Sequence, residues 1–386
     1  MSRQPVGVAV VGFGWMGHAH TRAYSRVLQH YPELALAPEL VLVADPEPDR
    51  LSDAVDRYCF TRSTDRWQDV LTNDRVQAVS VTAPNFLHRE IGEAVARVGK
   101  HLWIEKPVGV LAADAEAVAA AVAAARVQST VGFNYRNAPA VQHARTVIEQ
   151  GAIGTVTNAR FRLLTDYAAH PHGALTWRFE RKQGGSGVLG DLVSHGVDLA
   201  RFLLGEIHSL VADTAIFIGE RPKATRATSH FALAEGGEVG QVENEDYLNC
   251  LLRFTSGARG SLESSRISVG DQCNYGFEIH GTKGALYWDF RRMGELGISL
   301  GEDYLDQTVQ TVLVGPGQGE TGAFQPGSGI ALGYDDLKVV EAARFLRSIA
   351  DGKPCGATVD DAVRSARALD CMAESARDQQ WVTLPS

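Results

Sequence analysis

Residues 6–17 read VGVAVVGFGWMG, and the rest of the chain is organised around what that stretch does. Val6, Val8, Ala9, Val10 and Val11 form a short β-branched run, the composition of a strand buried on both faces. Gly12, Gly14 and Gly17 follow at GxGxxG spacing. In that pattern the first glycine permits a tight turn, the second lets the backbone approach a pyrophosphate, and the third lets the next helix pack on the strand. The orphan N–H groups at the helix start then face the phosphates. Such triplets also arise by chance, so the flanks matter. A second apolar run, residues 40–44, ends in Asp45, where a carboxylate can bind an adenosine ribose. Asp45 lies further from the glycines than the usual spacing of about 20 residues, which implies an inserted loop around residues 30–38.

With 386 residues, 45% of them hydrophobic and 22% charged, the chain suits two or three globular domains. Its formal net charge of -9 offers no basic excess for a nucleic acid or an anionic membrane. The five cysteines (Cys59, Cys250, Cys273, Cys355 and Cys371) are scattered, without CxxC pairs or zinc-ligand spacing. They read as reduced thiols of a cytoplasmic protein. No stretch approaches the roughly 20 apolar residues of a membrane span, and the N-terminal run is too short for a signal peptide.

Strand and helix patterns alternate over about 130 residues, which predicts a doubly wound parallel sheet. Helices are expected at residues 17–29, 49–57, 91–98 and 112–126, with a short turn at 67–71. Strands are expected at residues 76–82, 101–104 and 129–133. The strand at 76–82 runs into Ala83, Pro84, Asn85 and His88; the next ends in Glu105, Lys106 and Pro107; the last leads to Asn134 and Tyr135. Ligands of such sheets bind beyond the carboxyl ends of the strands, so these residues belong to the cofactor crevice. Pro107 restricts the backbone at Lys106 as well as its own, which holds a cation at a defined point.

Beyond residue 151 the pattern changes to successive strands at 155–164, 209–218, 247–254, 258–267, 275–280 and 285–289, separated by glycine turns. They predict a mostly antiparallel sheet with one broad open face. The domains expected are therefore 1–133 and 134–386. Between the first two of these strands lies GGSGVLGDLVSHGVDLARFLLG, residues 184–205. From Val188 it reads as a helix with Asp191 and His195 at i and i+4, on one face. An imidazole with a carboxylate one turn away suits a general base near neutral pH; the same spacing also occurs as a plain structural hydrogen bond. His170, His172, Asp191 and His195 could assemble a zinc site, but no supporting pattern accompanies them, and no metal is expected. A glycine- and proline-rich loop at 316–329 and amphipathic helices at 338–349 and 359–377 complete the chain.

Taken together, GFGWMG, Asp45, TAPNFLH (residues 82–88), EKP (105–107), FNYR (133–136) and the GDLVSHGVD helix (190–198) occur in the order found in the Gfo/Idh/MocA oxidoreductases. The chain resembles that family over nearly its whole length, most closely its sugar and inositol dehydrogenases. The resemblance implies a Rossmann domain, an open-faced sheet domain that forms homodimers or homotetramers, and NAD as cofactor. It implies Lys106, Asp191 and His195 as catalytic residues, with Tyr135 and Arg178 beside them around the substrate. It further implies cofactor contacts from Gly12, Phe13, Gly14, Trp15, Met16, Gly17, Asp45, Ala83, Pro84, Asn85, His88, Glu105, Lys106 and Asn134. Asp45 favours NAD over NADP, because a carboxylate accepts from a 2′-hydroxyl and repels a 2′-phosphate; Arg50 is the nearby group that could offset it. The activity implied is oxidation of a secondary hydroxyl of a sugar, anhydrosugar or cyclitol, of the levoglucosan or inositol type. Two alternatives share the same residues: a redox-neutral NAD-dependent glycosidase or lyase, and a non-catalytic NAD-binding sensor, which would have no need of a base.

Overall fold

The N-terminal valine run forms β1 (Gln4–Val11), buried from Val6 onward. In the computed structural model, which describes residues 3–223, 232–234 and 238–385, β1 lies inside a six-stranded sheet. The chain divides into two compact units, residues 1–137 with 332–364 and residues 138–331 with 365–386. The last boundary falls inside the helix Val359–Asp378.

The first unit adds β2 (Leu36–Ala44), β3 (Arg62–Thr64), β4 (Ala78–Val81), β5 (His101–Ile104) and β6 (Ser129–Val131) to β1. Their order is β3-β2-β1-β4-β5-β6 and every pairing is parallel. The expected doubly wound sheet is therefore present, and its strand order reverses between β1 and β4. The helices α1 (Trp15–His30), α2 (Pro48–Tyr58), α3 (Asn85–Arg97) and α4 (Ala112–Ala125) supply the crossovers. Val10, Phe13, Val43, Ala54 and Phe60 form one core cluster under the glycine turn.

Two expectations shift. The extra residues before Asp45 are not an inserted loop: α1 continues to His30, and β2 starts at Leu36, paired with Gln4. Pro38 is tolerated inside β2: β3 pairs only with residues 42–44 of β2, so the flank beside Pro38 lies outside that ladder and needs no donor. The third helix starts at Asn85, with Pro84 as its N-cap, which puts Asn85 and His88 in its first turn. Late in the chain, the helix Tyr334–Asp351 joins the first unit and buries Leu337, Lys338, Val340, Glu341 and Phe345.

The second unit holds α5 (Pro139–Glu149), β7 (Val156–Leu164), α6 (Ser194–Leu204) and β8 (Ile207–Ala215). A two-stranded ribbon follows, β9 (Glu220–Pro222) with β10 (Val239–Gln241). Then come β11 (Tyr247–Phe254), β12 (Arg259–Ser265), β13 (Asn274–Gly281), β14 (Gly284–Asp289), β15 (Glu295–Leu300), β16 (Gln310–Leu313) and β17 (Val382–Thr383). The nine-stranded sheet has the order β16-β15-β14-β13-β7-β12-β11-β8-β17. All its pairings are antiparallel except β7 with β12. On β11, Leu248, Cys250, Leu252 and Phe254 are buried while Asn249, Leu251 and Arg253 are exposed, the period of a strand with one covered face. Helix α6 reaches the covered face through Gly196, where a Cβ would lie 2.6 Å from Leu163 Cδ1 and 2.8 Å from Leu262 Cδ1. Among the described residues no helix is long and apolar enough to cross a membrane.

Candidate active site

In the first unit each motif picked out of the sequence follows the carboxyl end of a different parallel strand. The glycine turn follows β1, Asp45 follows β2, residues 83–88 follow β4, residues 105–107 follow β5, and Asn134 and Tyr135 follow β6. They share one edge of the sheet.

The turn itself is dictated by the absence of side chains. Gly12 has φ +89°, and a Cβ there would stand 2.6 Å from Ala83 N. A Cβ at Gly17 would stand 2.3 Å from Gly12 O, whereas one at Gly14 would meet nothing within 4 Å. Two positions are thus closed by the protein, and the third opens onto space. Helix α1 starts there with Gly14 as N-cap, no capping side chain and no acidic residue in its first turn, so its N-terminal dipole is open to an anion. Phe13 packs in the core, but its backbone N–H donates to Asp45 Oδ2 at 2.6 Å. Asp45 Oδ1 accepts from Glu47 N at 3.0 Å, and Arg50 Nη1 lies 3.4 Å from Oδ2. Trp15 is largely exposed and stacks on Tyr334 at 5.2 Å, and Tyr334 donates its hydroxyl to Met16 Sδ.

The strand ends are tied together. His88 is buried between the turn after β4 and the exit of β5, with Nδ1 2.7 Å from Pro107 O and Nε2 2.7 Å from Ala83 O; the neutral ring has one N–H and donates to one of these two carbonyls. Burial lowers its pKa, and the two carbonyls only partly oppose this. Glu105 does not offer its carboxylate to the crevice; it is buried and accepts from His20 Nε2 at 2.9 Å and Lys338 Nζ at 2.5 Å. The expectation of a cofactor contact from that side chain is corrected accordingly. Asn134 is buried, and its Nδ2 is a donor with no hydrogen-bond partner. An open glycine position, an uncapped helix start, an acid at the end of β2 and an unused amide donor together fit a dinucleotide, and these residues would hold NAD.

In the second unit, the helix expected from Val188 has a wide first turn. Residues Leu189–Val193 form a π-turn, and the α-helix α6 starts only at Ser194. The Ser194 hydroxyl donates to Gly190 O at 2.8 Å, and Glu245 accepts from Leu189 N at 3.0 Å. Turns of this kind recur at functional sites; here it carries Asp191, with His195 buried in the first turn of α6. Asp191 Oδ2 accepts from the Tyr167 hydroxyl at 2.5 Å, and Arg178 Nη1 lies 3.6 Å from Oδ1. Arg178 also rests on the Trp177 ring at 4.6 Å. Burial and the neighbouring Asp191 raise the Tyr167 pKa well above that of a free phenol, so Tyr167 remains a donor.

Tyr167 was not singled out in the sequence, and no spacing could have marked it: it sits in a loop, 24 residues from Asp191. The buried Arg266–Asp246 pair, at 2.8 Å, supports that loop, and Ala168 N donates to Arg266 O at 2.9 Å. His170 and His172 contact each other, with ring centroids 5.6 Å apart. Among the described residues the one grouping of metal-capable side chains is His20, Glu105 and Glu341 in the first unit, and the Lys338 ammonium bonds to both carboxylates there.

Comparison with known proteins agrees with this geometry. Residues 6–133 match the oxidoreductase family model with an NAD-binding Rossmann fold, and residues 141–287 match the GFO/IDH/MocA C-terminal domain. The chain is 34% identical over 385 residues to a levoglucosan dehydrogenase of Pseudarthrobacter phenanthrenivorans, covering 99% of each. An inositol 2-dehydrogenase of Rhizobium meliloti is 27% identical over 304 residues, 78% of this chain and 80% of that protein. A solved levoglucosan dehydrogenase in complex with NADH and levoglucosan superposes with a TM-score of 0.93 at 33% identity, covering 99% of this chain and 100% of that one. With both of its units matched and a relative aligned end to end, the chain belongs to the Gfo/Idh/MocA family of NAD-binding oxidoreductases.

Proposed function

We propose that this protein is an NAD-dependent dehydrogenase that oxidises one secondary hydroxyl of a sugar, anhydrosugar or cyclitol, with levoglucosan and the inositols as the first substrates to try. Its full-length similarity to a levoglucosan dehydrogenase, and the inositol dehydrogenase among its relatives, support the substrate class. The chemistry supplied by NAD when bound is acceptance of a hydride from the carbinol carbon. Asp45 favours the unphosphorylated ribose.

The observation that carries the reading is the arrangement around Asp191. One carboxylate oxygen accepts from Tyr167, and Arg178 lies beside the other, so Asp191 serves as an orienting acceptor. The alcohol proton then falls to His195, whose imidazole type suits a base near neutral pH. Lys106 hydrogen-bonds the same oxygen and stabilises the charge that develops on it. Tyr135 and Arg178 contribute contacts to the remaining hydroxyls. The exposed row on β11, with Leu251 at its centre, supports a homodimer or homotetramer built on the open sheet face.

The test is absorbance at the NADH band with purified protein, NAD and a panel of levoglucosan, inositols, glucose and aryl glucosides. A rise with one polyol establishes the dehydrogenase and its substrate. Release of aglycone from a glucoside without net NADH would instead show a redox-neutral glycosidase, and silence on both counts with NAD bound would favour a sensor.

A further inference from the structure

Lys338 is fully buried, yet it has no part in the chemistry described above. Its ammonium lies 2.5 Å from Glu105 Oε1 and 3.1 Å from Glu341 Oε1. Around this pair the first unit builds a closed set of partners. His20 Nε2 lies 2.9 Å from Glu105 Oε1, and the His20 ring stacks on Trp103 at 3.7 Å. The Trp103 indole donates to Glu341 Oε1 at 2.6 Å, and His20 Nδ1 is left without a partner. His20 therefore carries its one proton on Nε2 and gives it to Glu105.

A buried ion pair is a poor source of stability, because desolvation of the charges offsets their attraction and an apolar replacement is often neutral or better. What it supplies is position. Glu105 is the residue immediately before Lys106. Its backbone N–H donates to Val81 O at 2.9 Å, and its side chain is drawn inward by Lys338 and His20. On the other side of Lys106, the Pro107 carbonyl lies 2.7 Å from Nδ1 of the buried His88. The lysine thus leaves the sheet between an anchored Glu105 and a proline set against His88. Lys338 comes from a helix 233 residues further along the chain, after the whole excursion through the second unit.

We propose that Lys338 is a positioning residue for Lys106: its ammonium anchors the Glu105 carboxylate inside the first unit and so fixes the backbone from which Lys106 projects. The proposal rests on the reading of Lys106 as the group that stabilises the reacting oxygen. Its action on the backbone at Lys106 can be read without turnover.

The experiment compares the full-length protein with Lys338→Met and Lys338→Arg. NADH affinity is followed by quenching of tryptophan fluorescence, and kcat and KM by NADH formation. The reactivity of Lys106 is followed by acetic anhydride labelling and peptide mass spectrometry, with exposed Lys283 as internal reference. Lys338→Met is expected to lower kcat by about 10–100-fold while KM and the NADH Kd stay within about threefold. Lys106 labelling should change by about threefold or more relative to Lys283, and Lys338→Arg should recover most of both effects. Should Lys338→Met not fold, the double variant Lys338→Met/Glu105→Gln removes the uncompensated charge and should show the same kcat loss and labelling change. Unchanged labelling with wild-type kcat per folded molecule, in either variant, overturns the proposal. If no polyol is oxidised even by the unaltered protein, the dehydrogenase reading fails, and a labelling change in Lys338→Met still supports the anchoring of Lys106.

Discussion

The two units carry chemistry in different ways. In the first, the functional positions are fixed by backbone: a glycine turn closed by its own carbonyl, strand ends in a fixed order, and a helix start left uncapped. In the second, they are fixed by side chains meeting across sequence: Tyr167 and Arg178 on Asp191, and Glu245 on the start of the π-turn. A backbone site tolerates change only where a side chain would meet open space. A side-chain site weakens by degrees as donors are removed. Each half can therefore be broken in its own characteristic manner.

The sharpest break is at Lys106. Replacing it with Ala leaves the glycine turn intact but removes the cation proposed to act at the reacting oxygen, so kcat should fall by about 10³-fold while the NADH Kd changes little. Steady-state kinetics beside a fluorescence titration reads both. Unchanged turnover would remove Lys106 from the chemistry. Next in size is the contrast between two glycines of one turn. Gly12→Ala demands φ +89° of an L-residue and sets a methyl 2.6 Å from Ala83 N. It should cost about 2–4 kcal/mol of stability and abolish NADH binding. Gly14→Ala meets nothing within 4 Å; it should fold with an unaltered melting temperature and lose about tenfold in NADH affinity, the methyl standing where the pyrophosphate would come. Equal melting temperatures for both variants would contradict the account of the turn. A smaller effect is expected in the second unit: Tyr167→Phe removes one donor from Asp191 and should lower kcat/KM by about tenfold with NADH binding untouched.

This difference also decides what could be read from residues alone. The glycine turn, the β-branched strands and the strand-end motifs announce themselves locally, because the backbone geometry they need restricts which residues can stand there. The sheet of the first unit was therefore legible except for its edge strand β3, only three residues long, and so were the strands β7, β8 and β11 to β14 of the second. β15 and β16 were not: ELGISL carries Gly297 in its middle, and QTVL is four residues long. Pro38 concealed the first half of β2 because its harmlessness depends on where β3 stops. At the candidate site, Asp191 and His195 were singled out by their spacing, but the π-turn that carries Asp191 left no mark in the composition. Tyr167 and Lys338 were invisible for one reason: each matters through a partner 24 or 233 residues away. Lys338 in particular looks like an ordinary helix lysine until Glu105 is seen beneath it.

The buried pair around Lys338 sharpens the comparison through pH, because it places two carboxyls and an imidazole in one buried volume. Burial raises the Glu341 carboxyl from its ordinary 4.5 to about 7, Lys338 pulling it down and Glu105 adding to the rise. Burial lowers His20 from 6.5 to about 4 against the pull of Glu105. The signs differ. For Glu341 the folded protein retains a proton that the unfolded chain releases, so stability is lost as pH rises from 4.5 to about 7. For His20 the unfolded chain takes up a proton that the folded protein refuses, so stability is lost as pH falls from 6.5 to about 4. In the unaltered protein these slopes overlap and oppose each other. Glu341→Gln removes the first, keeps an acceptor for the Trp103 indole and leaves the second in place. Its melting temperature should therefore climb more steeply with pH than that of the parent, gaining a few degrees, about 2–4 °C per kcal/mol, between pH 5 and 7.5. Parallel curves would mean that Glu341 titrates alike in the folded and unfolded chain, and that Lys338 balances both carboxylates rather than committing itself to Glu105.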